Sequence, residues 1–394
     1  MNNQFESKCA TDKEIHDFLL SNKQRLSEKV LREFAKDRGI FCSNQDTRED
    51  LADYLSQIIH DQFDINAIVE KREGHNNREK TTFVTLKTDI ESSDLNIVLT
   101  ELQDSINEDR EQKLLFVQNG MKKFTAEYSY TEYDFTKTRL MQRSKKDAQF
   151  EISLVDNEIK VRMPSSEKAK ELTEKLKSKI EAKQLKPIND EKIELTSINS
   201  SNMRSQFFLR LISTMDGLNL EGVTSIRVAS GDVIPAVVDD IDNSLEENDD
   251  EYSLDESTLF DTDQEDTAAE ESAQMLSAVH RMVLDGRGLE TSEEYQNLTR
   301  KGYFITSITW TAKETSAPYN KVSMMAGFED PEECTSYRYS IKGVYKLRNH
   351  FYTKTLRSPS VDEKKVYIEA IEKHSKTILN QLISEQFDKD KGSL

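Results

Sequence analysis

The chain has 394 residues, 36% of them hydrophobic and 32% charged, and a formal net charge of −19. This length exceeds what one hydrophobic core serves, and the composition is too apolar for disorder throughout. No stretch approaches the roughly 18 consecutive apolar residues of a membrane span, and residues 1–12 lack the apolar run of a secretory signal.

Taken in chain order, residues 11–60 predict three short helices. Ile15, Phe18 and Leu19 form the stripe of the first. The second starts near Ser27 with Val30, Leu31 and Phe34 inward, and stops at Gly39, where a left-handed glycine ends helices and Ile40 supplies the accompanying apolar contact. Asp46 or Thr47 caps the third, with Leu51, Tyr54, Leu55 and Ile58 on one face. Residues 61–80 end in the polar run KREGHNNREK and read as a linker. A mixed region follows: a strand at 82–86, a helix through Leu95, Leu99, Leu102 and Ile106, strands at 113–117 and 124–135, and a hairpin of 150–154 and 159–163 turning at Asp156-Asn157. Ser165 or Ser166 opens a helix through Leu172, Leu176 and Ile180, with Glu171 and Lys175 as an i,i+4 pair. A helix at 203–215 and a strand at 223–228 come next.

Between Val228 and His280 there is no Lys or Arg, and sixteen acids fall within 239–271, so only −3 of the net charge belongs to the rest of the chain. An acidic total is therefore no argument against nucleic-acid binding elsewhere. The window's centre lacks periodicity and reads as an acidic, disordered loop. A helix is expected from Ala268 to Leu284, a shorter one around Tyr295 and Leu298, strands at 303–310, 321–328 and 337–347, and a last helix opened by Ser358-Pro359 with Ile368, Ile371, Ile378 and Leu382 inward. Residues 112–183 and 301–387 share an order of several strands and one long helix, as a distant duplication or a common α+β unit would.

The run from Val30 to Gln57 resembles a SAP-type or related helix–extended loop–helix (HeH, LEM-like) module. Leu31 and Phe34 match its first helix, Gly39 and Ile40 its turn, and the extended link through Ser43 leads to Thr47, Arg48, Leu51 and Leu55. The resemblance implies two short helices joined by an extended turn and binding of DNA or RNA, or of a protein partner in the LEM branch. Phosphates are neutralised by Lys and Arg, and Lys29, Arg32, Lys36, Arg38 and Arg48 are the candidates, although residues 1–60 hold nine basic and eleven acidic side chains. A docking domain with a solvated charged surface is the plainer alternative.

A second candidate surface combines Lys122, Lys123, Lys137, Arg139, Arg143, Lys145 and Lys146 with Tyr128, Tyr130, Tyr133 and Phe135. Residues 122–186 carry sixteen basic and eleven acidic residues, and aromatics beside cations hold single-stranded nucleic acid. The alternative is a half-buried strand whose aromatics are core. Asp147 with Glu158 and Lys160 has the residue types, without the specificity, of a metal-dependent nuclease site. Six histidines are dispersed, and Gly286 and Gly288 read as a helix stop. Cys9, Cys42 and Cys334 form no CxxC pair, which argues against a zinc site or disulfide framework and for a reducing cytoplasm. No phosphate-loop or nucleophile signature is present, so no cofactor, metal or catalytic residue is expected.

The expected fold class is therefore α+β: a SAP/HeH-like helical module (1–60), a linker (61–80), an α+β domain (81–235), an acidic loop (236–267) and a second α+β domain (268–394) ending in a long helix. The expected function is a non-enzymatic nucleic-acid-binding or sensing subunit of a multi-protein intracellular system, such as genome maintenance or antiviral (anti-phage) defence. Its expected partners are DNA or RNA and other protein subunits. The alternatives are a protein–protein adaptor whose N-terminal helices dock a partner, and a metal-dependent nuclease with an unrecognised site.

Overall fold

A computed structural model describes residues 10–21, 23, 25–73, 80–136, 140, 142–155, 157–230, 281–286 and 292–392. It bears out the α+β class, with helices and antiparallel sheets. The chain forms two compact units, residues 1–192 and 193–394. The expected domain boundary at 235 therefore moves to 192, because the helix and strand before the acidic window belong with the second unit. The acidic loop at 236–267 and the first part of the helix expected from Ala268 lie outside the described residues.

The first unit opens with four helices: α1 (Asp12–Ser21), α2 (Glu28–Asp37), α3 (Arg48–Gln57) and α4 (Gln62–Glu73). Gly39 lies at φ +72° just past α2. Its N–H donates to Lys36 O at 2.8 Å and the Ile40 N–H to Ala35 O at 2.9 Å, the paired bonds of a left-handed helix stop. Thr47 rather than Asp46 caps α3: its hydroxyl accepts from the Asp50 N–H at 3.2 Å, and Asp50 accepts from the Thr47 N–H at 2.9 Å. The expected linker at 61–80 is corrected, since 62–73 is helical and Ile65, Ile68 and Val69 join the core formed by Phe18, Leu19, Leu31, Leu51 and Leu55. The polar run that follows had masked that apolar spacing.

The same unit continues with β1 (Thr81–Lys87), α5 (Ser92–Asn107), β2 (Gln112–Gln118), β3 (Lys123–Tyr133), β4 (Arg143–Val155), β5 (Glu158–Pro164), α6 (Glu167–Gln184) and the short β6 (Asp190–Glu191). The strands run in the order β2-β3-β4-β5-β1, all antiparallel. Alternate residues, among them Phe124, Tyr128, Phe150, Ile152, Val161 and Met163, share a core with Leu95, Leu99 and Leu102 of α5 and Leu172, Leu176 and Ile180 of α6. Glu171 accepts from Lys168 Nζ at 2.9 Å, one turn before it, while the expected partner, Lys175, lies one turn after it. The edge strand β2 is covered by α5 side chains. Leu114 donates to Asn107 Oδ1 at 2.7 Å, and Phe116 to Gln103 Oε1 at 2.9 Å, which occupies groups an edge otherwise offers to another chain. Leu140, in the connection from β3 to β4, is buried in the core of the four-helix module. Helical module and sheet are thus tied within one unit.

The second unit comprises α7 (Ser201–Thr214), β7 (Leu218–Ser230), β8 (Arg281–Asp285), α8 (Glu293–Arg300), β9 (Tyr303–Glu314), β10 (Lys321–Asp330), β11 (Thr335–Tyr345), a hairpin of β12 (Leu347–Arg348) and β13 (Phe351–Tyr352), and α9 (Val361–Gly392). Its sheet order is β11-β10-β9-β7-β8. Residues 281–285, expected at the end of a helix, instead pair antiparallel with Ser225–Ala229. Their apolar run fits a strand once a partner is present. In the first unit the last strand of the meander, β5, pairs with β1; here the first, β9, pairs with β7. The shared strand-then-helix order is therefore not one topology used twice. α9 is fastened by buried polar contacts: Tyr339 OH donates to Glu372, and Tyr337 OH lies 2.7 Å from Ser375 Oγ. Its start is capped by Ser360 rather than Ser358, with Ser360 N–H donating to Glu363 Oε2 at 2.8 Å and the Glu363 N–H to Ser360 Oγ at 3.3 Å.

Two outcomes follow from these contacts. Leu140→Ala should lower the unfolding free energy by about 2–5 kcal/mol and speed hydrogen exchange at the Asp134 amide, which donates to Gln142 O; unchanged exchange would mean that Leu140 does not anchor the hairpin. The Arg357 guanidinium, opposed by burial and helped by the Ser360 N–H, holds the Glu363 carboxyl at about 2 against an ordinary 4.5. A carboxylate lowered by folding adds stability that is complete above about pH 5 and is lost as pH falls towards 2. Glu363→Gln should flatten the thermal midpoint against pH in that window, and an unaltered slope would exclude the pair as its source.

Candidate nucleic-acid interface

The sheet of the first unit sorts the residues of the expected basic and aromatic surface. Period-two alternation along β3 buries Phe124, Ala126, Tyr128 and Tyr130 and exposes Lys123, Glu127 and Tyr133. Tyr128 and Tyr130, expected as a stacking platform, are core residues 5.0 Å apart. Tyr128 OH donates to Gln112 Oε1 at 2.6 Å, and burial pushes its phenol up to about 12. Their faces are covered by protein and cannot receive a base.

The exposed aromatics lie at the far end of the strand. Tyr133 is 44% exposed and Phe135 79%, and their rings stack at 6.1 Å with an interplanar angle of 11°. Tyr133 OH donates to Glu111 Oε1 at 2.6 Å, a bond that also holds its phenol above the usual range. Asp134 Oδ1 accepts from the N–H and hydroxyl of Thr136. On β4, Arg143 is in register with Tyr133, Lys145 with Thr131 and Lys146 with Tyr130; Lys145 and Lys146 are exposed. Residues 133–146 contain five Lys or Arg and a single acid, Asp134. Lys137 and Arg139 lie outside the described residues, and only the backbone of Arg143 is described. Lys122 and Lys123 are exposed at the opposite end of β3, about 33 Å away for ten strand residues. The expected basic surface therefore divides in two, and only one end pairs cations with open aromatic faces.

The five cations expected on the helical module divide differently. Lys29 and Lys36 are exposed. Arg32 holds the extended link, donating to Ser43 O at 2.6 Å, Asp46 O at 2.7 Å and Glu28 Oε1 at 2.9 Å. Arg38 donates to Ile59 O at 2.6 Å and pairs with Asp64, joining α2 to α4. Arg48 is buried, its Nε donating to Leu26 O at 2.9 Å and its Nη2 to Leu19 O at 2.8 Å. The expectation that Arg48 contacts phosphate is thus corrected: its guanidinium is spent on the backbone between α1 and α2. The other two arginines are likewise engaged, which leaves two lysines among interleaved acids.

The nuclease-like residues are not brought together. Asp147 accepts from Ser129 Oγ at 2.7 Å. Lys160 stands in register with Ser153, six residues along β4 and about 20 Å from Asp147, and its Nζ lies 5.1 Å from the Phe83 ring centroid. Among the described residues no three His, Cys, Asp or Glu side chains are grouped to hold a metal, and no helix is long and apolar enough to cross a membrane. Two shallow hollows, about 430 Å³ at the start of α3 and about 750 Å³ between α5 and α6, contain neither His nor Cys in their linings. No protein-family model matches the chain, and comparison with curated proteins finds no match.

The inward role of Arg48 is testable apart from any ligand. Lysine cannot make both divergent bonds, so Arg48→Lys should cost about 1–3 kcal/mol in urea unfolding while leaving nucleic-acid affinity of the folded protein unchanged. Selective loss of affinity at full stability would return Arg48 to the surface.

Proposed function

We propose that the protein is a nucleic-acid-binding subunit of a multi-protein assembly, and that it holds single-stranded DNA or RNA at the end of the β3–β4 hairpin. The observation that carries this reading is the exposed Tyr133–Phe135 stack beside Lys145, in a segment of five cations and one acid. Bases stack on open aromatic faces whatever their sequence, while cations track the backbone. A single strand fits this surface better than a duplex, whose bases are already stacked on each other and hidden between backbones. The module resembling SAP and HeH proteins contributes by fixing the hairpin through Leu140, with Lys29 and Lys36 among its exposed cations.

The test is fluorescence anisotropy with labelled single strands and duplexes across a salt series, using the full chain. Tyr133→Ala/Phe135→Ala should weaken single-strand binding by about tenfold to a hundredfold, from about 1–3 kcal/mol per stacked base, without altering the salt slope. Lys145→Ala should weaken binding and reduce that slope by about one unit. Absence of binding at low salt, or equal affinity of the aromatic double variant, would overturn the proposal.

A further inference from the structure

The second unit has a charge pattern of its own. Residues 334–361 contain six Lys or Arg and no Asp or Glu, in a chain whose net charge is −19. At their centre lies the β12–β13 hairpin, where Leu347 stands opposite Tyr352 and Arg348 opposite Phe351. Asn349 and His350 form its two-residue turn at φ +46° and +69°, the left-handed conformation that matches the twist of a tight hairpin. The ladder continues one pair further down, with the Thr353 N–H donating to Lys346 O at 3.0 Å. Alternation gives this ribbon two faces. Leu347 and Tyr352 are half-buried on one of them. The Leu347 N–H donates to Asn320 Oδ1 at 3.3 Å, Tyr352 OH to Tyr319 O at 3.2 Å, and the Tyr352 ring centroid lies 4.2 Å from Lys321 Nζ. The other face carries Lys346, Arg348 and Phe351, all exposed, Phe351 at 78%. Lys346 and Arg348 are about 6.6 Å apart along the strand, and the opposed Cβ atoms of Arg348 and Phe351 about 5 Å apart. Lys354, next after Thr353, is exposed as well.

The flanking acids do not cancel this charge. Glu329, Asp330, Glu332 and Glu333 lie at the far end of β11, about 33 Å away for ten strand residues. Nearer the hairpin, Glu221 pairs with Lys321, Glu314 accepts from Tyr367 OH at 2.6 Å and the Asn320 N–H at 2.8 Å, and Glu363 pairs with Arg357. Asp362 is exposed, and the exposed Lys364 and Lys365 follow it. The hairpin therefore sets three cations beside one open aromatic ring. Such a ring stacks a base of any sequence while the cations hold the phosphates on either side. The geometry points to a second binding site for a nucleic-acid single strand on the β12–β13 hairpin, with Phe351 stacking a base and Lys346, Arg348 and Lys354 holding phosphates. It takes the same class of ligand as the β3–β4 hairpin, uses none of its residues and does not depend on it. One ring in place of two makes it the weaker site by about tenfold.

The test is a calorimetric titration of the full chain to saturation with a thymidine strand of about eight nucleotides, the span of a single site. The unmodified protein should take up two strands, one tight and one weak. Arg348→Ala/Phe351→Ala should remove the weak one at an unchanged thermal midpoint, and Tyr133→Ala/Phe135→Ala should leave it in place. Lys346→Gln should keep both strands and reduce the salt slope of the weak one by about one unit. A single strand per chain that Arg348→Ala/Phe351→Ala leaves unaltered would overturn the inference while the β3–β4 site stands. A single strand lost only in Arg348→Ala/Phe351→Ala would support it and overturn the β3–β4 site instead. Binding to phosphatidylserine vesicles that the same variant abolishes, with the strand count unchanged, would make the hairpin a membrane contact and overturn the inference also.

Discussion

The first unit depends on one apolar side chain in a basic connection. Leu140 lies in the connection that also carries Phe135, between the strands that carry Tyr133 and Lys145, yet it is buried among the helices of the N-terminal module. Burying a leucine contributes about 1.5–3 kcal/mol, enough to hold a hairpin end that its own polar and charged neighbours would leave to water. Through this contact the helical module supports the end of the β3–β4 hairpin.

Charge is segregated by the fold rather than by composition. The module mixes acids and bases almost evenly along its first 60 residues, but its arginines turn to carbonyls and to Asp64, while its acids remain on the surface of α3 and the start of α4. The hairpin end is the reverse, with Lys145 and Lys146 exposed and Asp134 tied to Thr136. A buried guanidinium such as that of Arg48 is tolerated because backbone carbonyls satisfy it; it links α1 and the connection that follows it to α3.

The second unit relies on a different device. α9 carries a regular apolar stripe, with Ile368, Ile371, Ile378 and Leu382 buried, but its seat on the sheet is fixed by hydroxyl contacts from β11 and by the Arg357–Glu363 pair at its start. Tyr367 OH adds a bond to Glu314 of β9 at 2.6 Å. Burial is the first reason its phenol lies above the ordinary range, and the carboxylate the second. These contacts have directions, so they select one rotation of a helix that the apolar stripe alone would hold more loosely.

Most of the elements were legible from local pattern. The stripe of α1, the glycine stop of α2, the apolar spacing of α5 and α6 and the alternation of β3 are set by residues within a turn or a strand of one another. What local pattern misjudged depends on distant partners. Residues 281–285 form a strand only because β7 lies beside them, and 62–73 form a helix whose apolar face has the module's core to fill. For the candidate site, the sequence by itself determined which segment gathers cations and aromatics. Only the tertiary structure decided that Tyr128 and Tyr130 are core, that Tyr133 and Phe135 are open, and that Arg48 points inward. The physical reason is that a side chain's direction on an element follows from its period, whereas the face that water reaches is set by which elements pack against it: for Arg48, carbonyls 22 and 29 residues away.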